Sequence, residues 1–241
     1  MPPLPISPVF IDKLDTYRRR YKSGAAGAAR NIVGIARVRK GVDADVLLRS
    51  CGAVLSLLDS SIMTEELDVL RIISERLHAA DVPFMLTGSF ALGYYGKPRM
   101  TRDLDFVVAL MERHVDALVS AFSTDFYIDE DAARSAIKSQ RMFNLMHLDS
   151  AIKVDLIVRK NSEYRQAEFE RRKLVEFAGI STWITSREDL ILSKLVWAND
   201  SGSEMQLRDV RTLIDESVDW PYLKDWAAKL GVAAKLDEAS K

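Results

Sequence analysis

The sequence contains a single cysteine and only three histidines, and this scarcity limits the kinds of site it can build. Cys51 cannot form an internal disulfide, which suits a reducing compartment, and we expect it to be a core residue. His78, His114 and His147 are scattered, without the spacing of metal ligands. We therefore assign these histidines no role in a site.

Long apolar segments and a strong net charge are also missing. No apolar run reaches the roughly 18–20 residues that a membrane helix requires, and residues 1–15 lack the pattern of a secretory signal. The formal net charge of −1 provides no overall basic field that would attract nucleic acid. We therefore expect a cytoplasmic protein without a membrane segment. Its 241 residues, 48% of them hydrophobic, suffice for one substantial core and a small appended domain.

The first 62 residues are weakly patterned. Proline-rich residues 1–8 precede a segment, 16–41, that has eight Lys or Arg and no acidic residue. We interpret residues 1–62 as an N-terminal extension, an arm followed by a possible amphipathic helix over 42–59. The arm is either solvated or a contact for nucleic-acid phosphates. Alternatively, Met63 is the true start, because a clear helical pattern follows it.

The stretch around which the chain is organised is 84–108. An apolar strand leads into Gly88-Ser89, a short helix and a second strand that bears Asp103 and Asp105. Residues i and i+2 of a strand point to one face, so we expect both carboxylates on the side opposite the core. Burying such a pair is unfavourable without positive charge, and Mg²⁺ takes carboxylate and phosphate oxygens as ligands. A solvated acidic edge is the alternative.

A third carboxylate, Asp155, lies on a later strand in which alternate residues are apolar. Residues 142–148 and 151–158 both alternate and are joined by Asp149-Ser150, which predicts an antiparallel hairpin. If the Asp155 strand is next to the strand of the acidic pair, three carboxylates converge. Their mutual repulsion requires a cation, and two Mg²⁺ ions would meet this need in a phosphoryl or nucleotidyl transfer.

Gly88-Ser89 and Lys194 add features of a phosphate site. A glycine lets the backbone approach a phosphate, and a helix N-terminus with a serine hydroxyl binds anions; an ordinary helix cap is the alternative. Lys194 lies in an apolar helical stripe, where a buried charge needs a phosphate or an acid as its partner, unless it extends to solvent. Arg99 and Arg102 flank the acidic pair and either bind phosphates or offset the negative charge of the acids. We expect Tyr94 and Tyr95 to be packing residues.

The order of the motifs resembles the signature of the polymerase-beta-like nucleotidyltransferase superfamily. That signature is Gly-Ser, then Asp-x-Asp on the next strand, then a lone Asp on a later strand. LTGSFALGYYGKPRMTRDLDFVV, followed by VDLIV and SREDLILSKLVWANDSGSEMQLRDVRTLI, is similar to its AbiEii-type branch of type IV toxin–antitoxin toxins. The resemblance covers roughly Met63 to Ser217. It implies an α+β nucleotidyltransferase fold, a mixed β-sheet flanked by helices over 63–184, with a helical C-terminal part over 185–241.

The resemblance also implies roles for individual residues. Those that would be catalytic and bind the metal are Asp103, Asp105 and Asp155, the last as third ligand or as the base for the acceptor hydroxyl. Those that would bind the nucleotide are Gly88, Ser89, Lys194, Arg208 and Asp209. For Arg208 and Asp209, a structural ion pair is the alternative.

The implied reaction is the Mg²⁺-dependent transfer of a nucleoside monophosphate from an NTP to an acceptor hydroxyl. The acceptor is an RNA such as tRNA, a protein or a small molecule, and a cognate antitoxin is a further expected partner. The basic segment 16–41 favours RNA. The alternatives are a non-catalytic member of the fold that binds a nucleotide or a partner, and an antibiotic-modifying nucleotidyltransferase.

Overall fold

The computed structural model describes residues 65–96, 101 and 103–241. The expectations for residues 1–62, among them the helix over 42–59 and Cys51, lie outside the described residues, as do Met63, Arg99 and Arg102. In the part that is described, seven strands form one mixed sheet and nine α-helices flank it. The expected α+β class is confirmed.

The elements of the first half begin with a helix that precedes residues 84–108. They are α1 (65–79), β1 (Phe84–Thr87), α2 (Gly88–Tyr95), β2 (Asp103–Val108), a 3₁₀ turn (Glu112–His114), α3 (Val115–Phe122), β3 (Phe126–Ile128), α4 (Glu130–Ser139) and β4 (Met142–His147). The elements of the second half are β5 (Lys153–Val158), α5 (Glu163–Glu170), β6 (Lys173–Phe177), β7 (Ile180–Ile184), α6 (Arg187–Ser201), α7 (Glu204–Leu213), α8 (Trp220–Lys229) and α9 (Ala233–Ala239).

The sheet has the strand order β3-β4-β5-β2-β1-β7-β6. Strand β2 pairs with β5 in parallel and β1 pairs with β7 in parallel, whereas the remaining neighbours are antiparallel. The predicted hairpin of β4 and β5 is present. Strands β2 and β5 therefore lie side by side at the centre of the sheet, although about 50 residues separate them in the chain.

Alternation along the strands divides the sheet into a core face and a second face. Leu104 and Phe106 of β2 are completely buried, as are Val154 and Leu156 of β5, and all four belong to the main hydrophobic cluster. Leu70, Ile73 and Leu77, which repeat at helical spacing in α1, pack in the same cluster. The main cluster also contains residues of α6 to α9, so the C-terminal helices share the core of the sheet.

A buried carboxylate, Asp189 at the start of α6, connects three helices. Ser186 caps α6, and its hydroxyl accepts a hydrogen bond of 3.2 Å from the Asp189 backbone N–H. The Asp189 carboxylate accepts hydrogen bonds from Arg171, which follows α5, at 3.1 Å and from Tyr222 of α8 at 2.7 Å. Asp189 therefore takes part in the N-terminal cap of α6 and also joins this helix to the chain after α5 and to α8.

Several element boundaries differ from the sequence predictions. Residues 163–172 are mostly charged, which predicts a surface helix, but the helix that forms there, α5, buries Tyr164, Glu168 and Phe169. Strand β5 begins at Lys153 rather than at Ala151, because Ala151 has a positive φ of 54° and forms part of the turn. The sequence predicts three C-terminal helices that end near Asn199, Glu216 and Leu230, whereas α6 continues to Ser201, α7 ends at Leu213, and a fourth helix, α9, follows.

The described helices are too short or too polar to cross a membrane.

Candidate active site

The parallel pairing of β2 with β5 brings the three predicted acids together. Asp105 lies directly opposite Asp155, and Asp103 lies opposite Lys153. Because side chains alternate along a strand, Asp103, Asp105 and Asp155 point to the face of the sheet opposite Leu104 and Phe106. The predicted neighbourhood of the two strands is confirmed.

The three carboxylates differ in their exposure to solvent. Asp103 is exposed, Asp105 is partly buried and Asp155 is 7% exposed. The pKa of Asp105 is raised to about 6, first by burial and then by the negative charges of Asp155 and Asp103, although Lys153 and Lys194 lower it. The site therefore holds more negative charge than its own lysines neutralise.

Lys153 supplies positive charge between the acids. Its Nζ lies 3.0 Å from Asp155 Oδ2 and 4.0 Å from Asp103 Oδ2. The hydrogen bond to Asp155 raises the pKa of Lys153. Asn144 of β4, which lies opposite Asp155 in the hairpin, donates a hydrogen bond to Asp155 Oδ1. Both oxygens of Asp155 thus have a protein partner.

The backbone of Gly88 lies very close to the side chain of Asp105. Its φ is +65°, and a Cβ added at this position would lie 2.7 Å from Asp105 Cγ, much closer than non-bonded atoms approach. The sequence predicted that this glycine makes room for a phosphate; the structure shows that it makes room for Asp105. Ser89 follows as a buried residue of α2, and no hydrogen bond of its hydroxyl is formed within the described part of the chain.

Lys194 is a buried lysine of α6 that bonds to α7. It is 3% exposed, and its Nζ donates to Asp209 Oδ2 at 2.7 Å and to Gln206 Oε1 at 3.1 Å. Its charge also acts on Asp105, whose pKa it lowers, so α6 contributes to the electrostatics of the acids. Asp209 is buried as the partner of Lys194, whereas Arg208 is exposed and forms no ion pair with Asp209.

The two tyrosines of α2 pack, as expected. Tyr95 donates a hydrogen bond of 2.8 Å to the Thr185 carbonyl. The ring of Tyr94 meets those of Tyr95 and Phe177 edge to face.

The donor chemistry of the acids fits a divalent cation. Carboxylate oxygens are the ligands that Mg²⁺ prefers, and the raised pKa of Asp105 together with the ammonium of Lys153 indicates a place where positive charge is favourable. Among residues 65–96, 101 and 103–241, however, no three His, Cys, Asp or Glu are already arranged as a set of metal ligands. Binding a metal would thus require Asp155 to exchange its contacts with Lys153 and Asn144.

Sequence comparison decides the family. The profile described as "Nucleotidyl transferase AbiEii toxin, Type IV TA system" matches residues 71–228, which is more than half of the chain. The chain belongs to the AbiEii family. AbiEii proteins are nucleotidyltransferases, so the predicted family and enzyme class are confirmed. No curated protein sequence matches the chain significantly.

Several solved structures are similar to this AbiEii protein. An antigenic nucleotidyltransferase-like protein from Paracoccidioides brasiliensis is 17% identical, with a TM-score of 0.47 over 73% of this chain and 92% of that chain. ANT(2'')-Ia in complex with adenylyl-2''-tobramycin is 13% identical, with a TM-score of 0.46 over 73% and 99% of the chains. The lincosamide antibiotic adenylyltransferase LnuA is 14% identical, with a TM-score of 0.40 over 62% and 94%. At these values, none of them bears on the substrate of this AbiEii protein.

Three residues of the site were not predicted from the sequence: Lys153, Asn144 and Gln206. Lys153 precedes Asp155 by two residues, so strand alternation already placed both on one face. Asn144 could have been found from the predicted hairpin, if its register had been known. Gln206 precedes the Arg-Asp pair on an amphipathic helix, but nothing in its type or spacing distinguished it from other polar residues.

Proposed function

We propose that this AbiEii protein transfers a nucleoside monophosphate from an NTP to an acceptor hydroxyl in a Mg²⁺-dependent reaction. The observation that carries the proposal is the position of Asp105 opposite Asp155 on parallel strands, with Asp103 two residues away on the same face. The three carboxylates favour the binding of positive charge, and they lie beside the N-terminus of α2. Both features suit a nucleoside triphosphate with its metal.

Asp103, Asp105 and Asp155 would hold the metal, with two ions as the expected number. When bound, the metal would supply charge neutralisation for the phosphates and would lower the pKa of the acceptor hydroxyl. The acceptor oxygen forms a bond to the α-phosphorus, the bond from that phosphorus to the bridging oxygen breaks, and pyrophosphate leaves. The hydroxyl proton passes to a carboxylate of the site, for which Asp155 is our candidate.

The phosphates of the NTP would be bound by residues from both halves of the described chain. Gly88 and Ser89 open α2, where unpaired backbone N–H groups and the Ser89 hydroxyl are suited to an anion. Lys194 would contribute its ammonium to the phosphates, held in place by Asp209. Arg208 is exposed one residue before Asp209 and would act as an additional phosphate contact.

The biological setting follows from the family. A type IV toxin family suggests that this protein acts as a toxin with a cognate antitoxin. We propose RNA, tRNA in particular, as the acceptor, because residues 16–41 combine eight basic residues with no acid. A protein hydroxyl or a small molecule is the other acceptor class. We further propose a cytoplasmic location and a division into residues 1–62, 63–184 and 185–241.

The reaction is tested by incubating the full chain with each α-labelled NTP, Mg²⁺, and total tRNA or total protein. Asp103→Ala and Asp105→Asn should lower label transfer by about 100-fold or more, since they remove transition-state charge stabilisation. Asp149→Ala is the matched control, because Asp149 is an exposed aspartate of the β4–β5 turn. Mass spectrometry of the labelled fraction identifies the acceptor. Equal transfer by wild type and Asp103→Ala contradicts the proposal.

One observation favours a second candidate function, the non-catalytic binding of a nucleotide or partner. Both oxygens of Asp155 are already bonded, to Lys153 and Asn144, as in a site that never exchanges these contacts for a metal. In that case the protein binds NTP but releases no pyrophosphate with any acceptor. The same incubation, followed by measurement of pyrophosphate, separates the two functions.

A further inference from the structure

Two arginines lie against one buried ring at the other end of the sheet face that carries the acids. The guanidinium carbon of Arg172 is 4.3 Å from the ring centre of Phe169 and 4.8 Å from that of Trp183. The guanidinium carbon of Arg159 is 5.4 Å from the same Phe169 ring centre. Arg172 Nη1 also donates a hydrogen bond of 2.7 Å to the Phe169 carbonyl. Both guanidinium groups therefore lie beside the same ring, and the charge of Arg159 acts on Arg172.

Neither arginine has an acidic partner in the described part of the chain. The neighbouring Arg165 and Arg171 form ion pairs with Glu168 and Asp189, but Arg159 and Arg172 form none. The Nε atoms of both are buried and make no hydrogen bond with the described residues. Burial, and the like charge of Arg159, lower the pKa of Arg172. A buried N–H donor without an acceptor is unfavourable, so an anion that accepts hydrogen bonds from these guanidinium groups would stabilise the pair.

The arginine pair is distinct from the carboxylate site. Arg159 lies one residue beyond the end of β5 and four residues after Asp155, a separation of about 13 Å at the rise of a strand. Phe169 packs on Met85 and Val107, which lie on the face of the acids rather than in the main core. Arg159 and Arg172 are each partly exposed, so a ligand can reach them from solvent. The exposed Lys160 and Lys173 add positive charge beside them.

We propose that Arg159 and Arg172 form a binding site for a phosphate group. A phosphate offers acceptor oxygens to several guanidinium N–H groups at once, and arginine recognises it by paired hydrogen bonds. It also neutralises the repulsion between the two cations. The stacking of Arg172 on Phe169 and Trp183 fixes one guanidinium in advance, which lowers the entropic cost of binding.

The first test uses inorganic phosphate and the full chain, with EDTA and without nucleotide. Isothermal titration at constant ionic strength, balanced with chloride, should give binding by wild type. The Kd should rise about tenfold or more in Arg172→Gln and in Arg159→Gln, because each loses charge-assisted hydrogen bonds. Arg71→Gln is the matched control, because Arg71 is an exposed arginine of α1, and its Kd should equal that of wild type.

Asp105→Asn separates this proposal from the proposed catalytic function. Its phosphate affinity should match that of wild type, whereas nucleotidyl transfer is lost. The proposal is overturned if wild type binds phosphate no better than chloride, or if Arg172→Gln and Arg159→Gln bind it as wild type does. Should the Arg172→Gln chain fail to fold, Arg172→Lys keeps the charge and should bind with intermediate affinity.

The source of the phosphate is decided by a second titration on the Asp105→Asn protein. A labelled single-stranded RNA pentamer is compared with free phosphate in wild-type and glutamine backgrounds. Tighter binding of the RNA that depends on Arg159 and Arg172 identifies a phosphodiester, which would place an RNA strand along the face towards the acids. Arginine-dependent binding of free phosphate alone identifies a small anion or a mononucleotide.

Discussion

At the scale of single residues, Gly88 is the position where the site depends most on the absence of a side chain. Two effects oppose any substitution there, the positive φ of 65° and the contact with Asp105. Gly179, in the β6–β7 turn, has a similar φ of 76° but nothing within 4 Å of an added Cβ. The two glycines therefore allow backbone strain and steric collision to be measured separately.

Gly88→Ala should abolish nucleotidyl transfer, while Gly179→Ala should leave it unchanged. Both variants should lose about 1 kcal/mol of stability from backbone strain, and Gly88→Ala should lose more because Asp105 must move. Urea unfolding and label transfer measure the two effects. Wild-type transfer by Gly88→Ala would contradict the assignment of this glycine to the spacing of the acids.

Because the pKa of Asp105 is raised, this residue should make the folded protein less stable as the pH rises. Its pKa is raised from 3.8 to about 6, so between these pH values the folded protein binds more protons than the unfolded chain. Stability should therefore fall as the pH rises from about 4 to about 6 in the absence of metal. At one pKa unit per 1.4 kcal/mol, the loss is on the order of 3 kcal/mol.

Asp105→Asn should remove this fall and be more stable than wild type at pH 7, although it is inactive. Asp149→Asn is the control, because Asp149 is an exposed aspartate of the β4–β5 turn, and this variant should keep the fall. The measurement is urea unfolding in EDTA at several pH values. A wild-type stability that rises over this range would show that Asp105 is not held in the protonated form by burial and repulsion.

The residue scale also defines what sequence reasoning can find. Asp103, Asp105 and Asp155 were predictable because alternation fixes which face a strand residue occupies. Lys153 lies on the same face by the same alternation, but its place in the site was not predicted, since a lysine on a strand is more often a solvated residue. The contact of Gly88 with Asp105 was hidden, because it depends on how closely β1, α2 and β2 pack.

At the scale of elements, the ion pair of Lys194 with Asp209 couples α6 to α7. Both side chains are buried, so removing one deprives the other of an ion-pair contact that solvent hardly screens. The alkyl part of Lys194 lies in a helix whose neighbouring residues, Ile191 and Leu195, are fully buried. An apolar replacement of both partners is therefore compatible with the surrounding core.

Asp209→Leu alone should destabilise the protein by about 3–5 kcal/mol, and the double variant Lys194→Met/Asp209→Leu should recover about 2 kcal/mol or more of that loss. Both should be inactive if Lys194 binds the phosphates. Urea unfolding of wild type, the two single variants and the double variant gives the coupling energy. Additive losses would indicate that the two side chains do not depend on each other.

Strand and helix types were mostly predictable from periodicity, and their ends were not. The stretch 84–108 gave β1, α2 and β2 because apolar alternation, Gly88 and the acidic pair agree with one another. Helix α5 was predicted as a surface helix because its sequence is mostly charged. The structure pairs these charges internally, Arg165 with Glu168 for example, so the helix can bury them.

At the scale of the whole described molecule, one hydrophobic core extends from the sheet into the C-terminal helices. The sequence predicted a helical C-terminal part, but it could not predict that Leu195, Val210 and Leu223 pack in the same cluster as the strands. Such contacts join residues that are far apart in the chain, and local patterns contain no information about them. The position of Lys194 relative to the acids depends on this shared packing.

The parallel pairing of β2 with β5 has a consequence for the order of folding. Parallel neighbours cannot be joined by a tight turn, and here β3, α4 and β4 lie between them in the chain. Closing so long a loop is among the slower events of folding. During synthesis, a chain that has not yet produced β5 has Asp103 and Asp105 but no Asp155. The complete set of acids therefore exists only in molecules that have formed the centre of the sheet, so the proposed metal site cannot form on a nascent chain that still lacks β5.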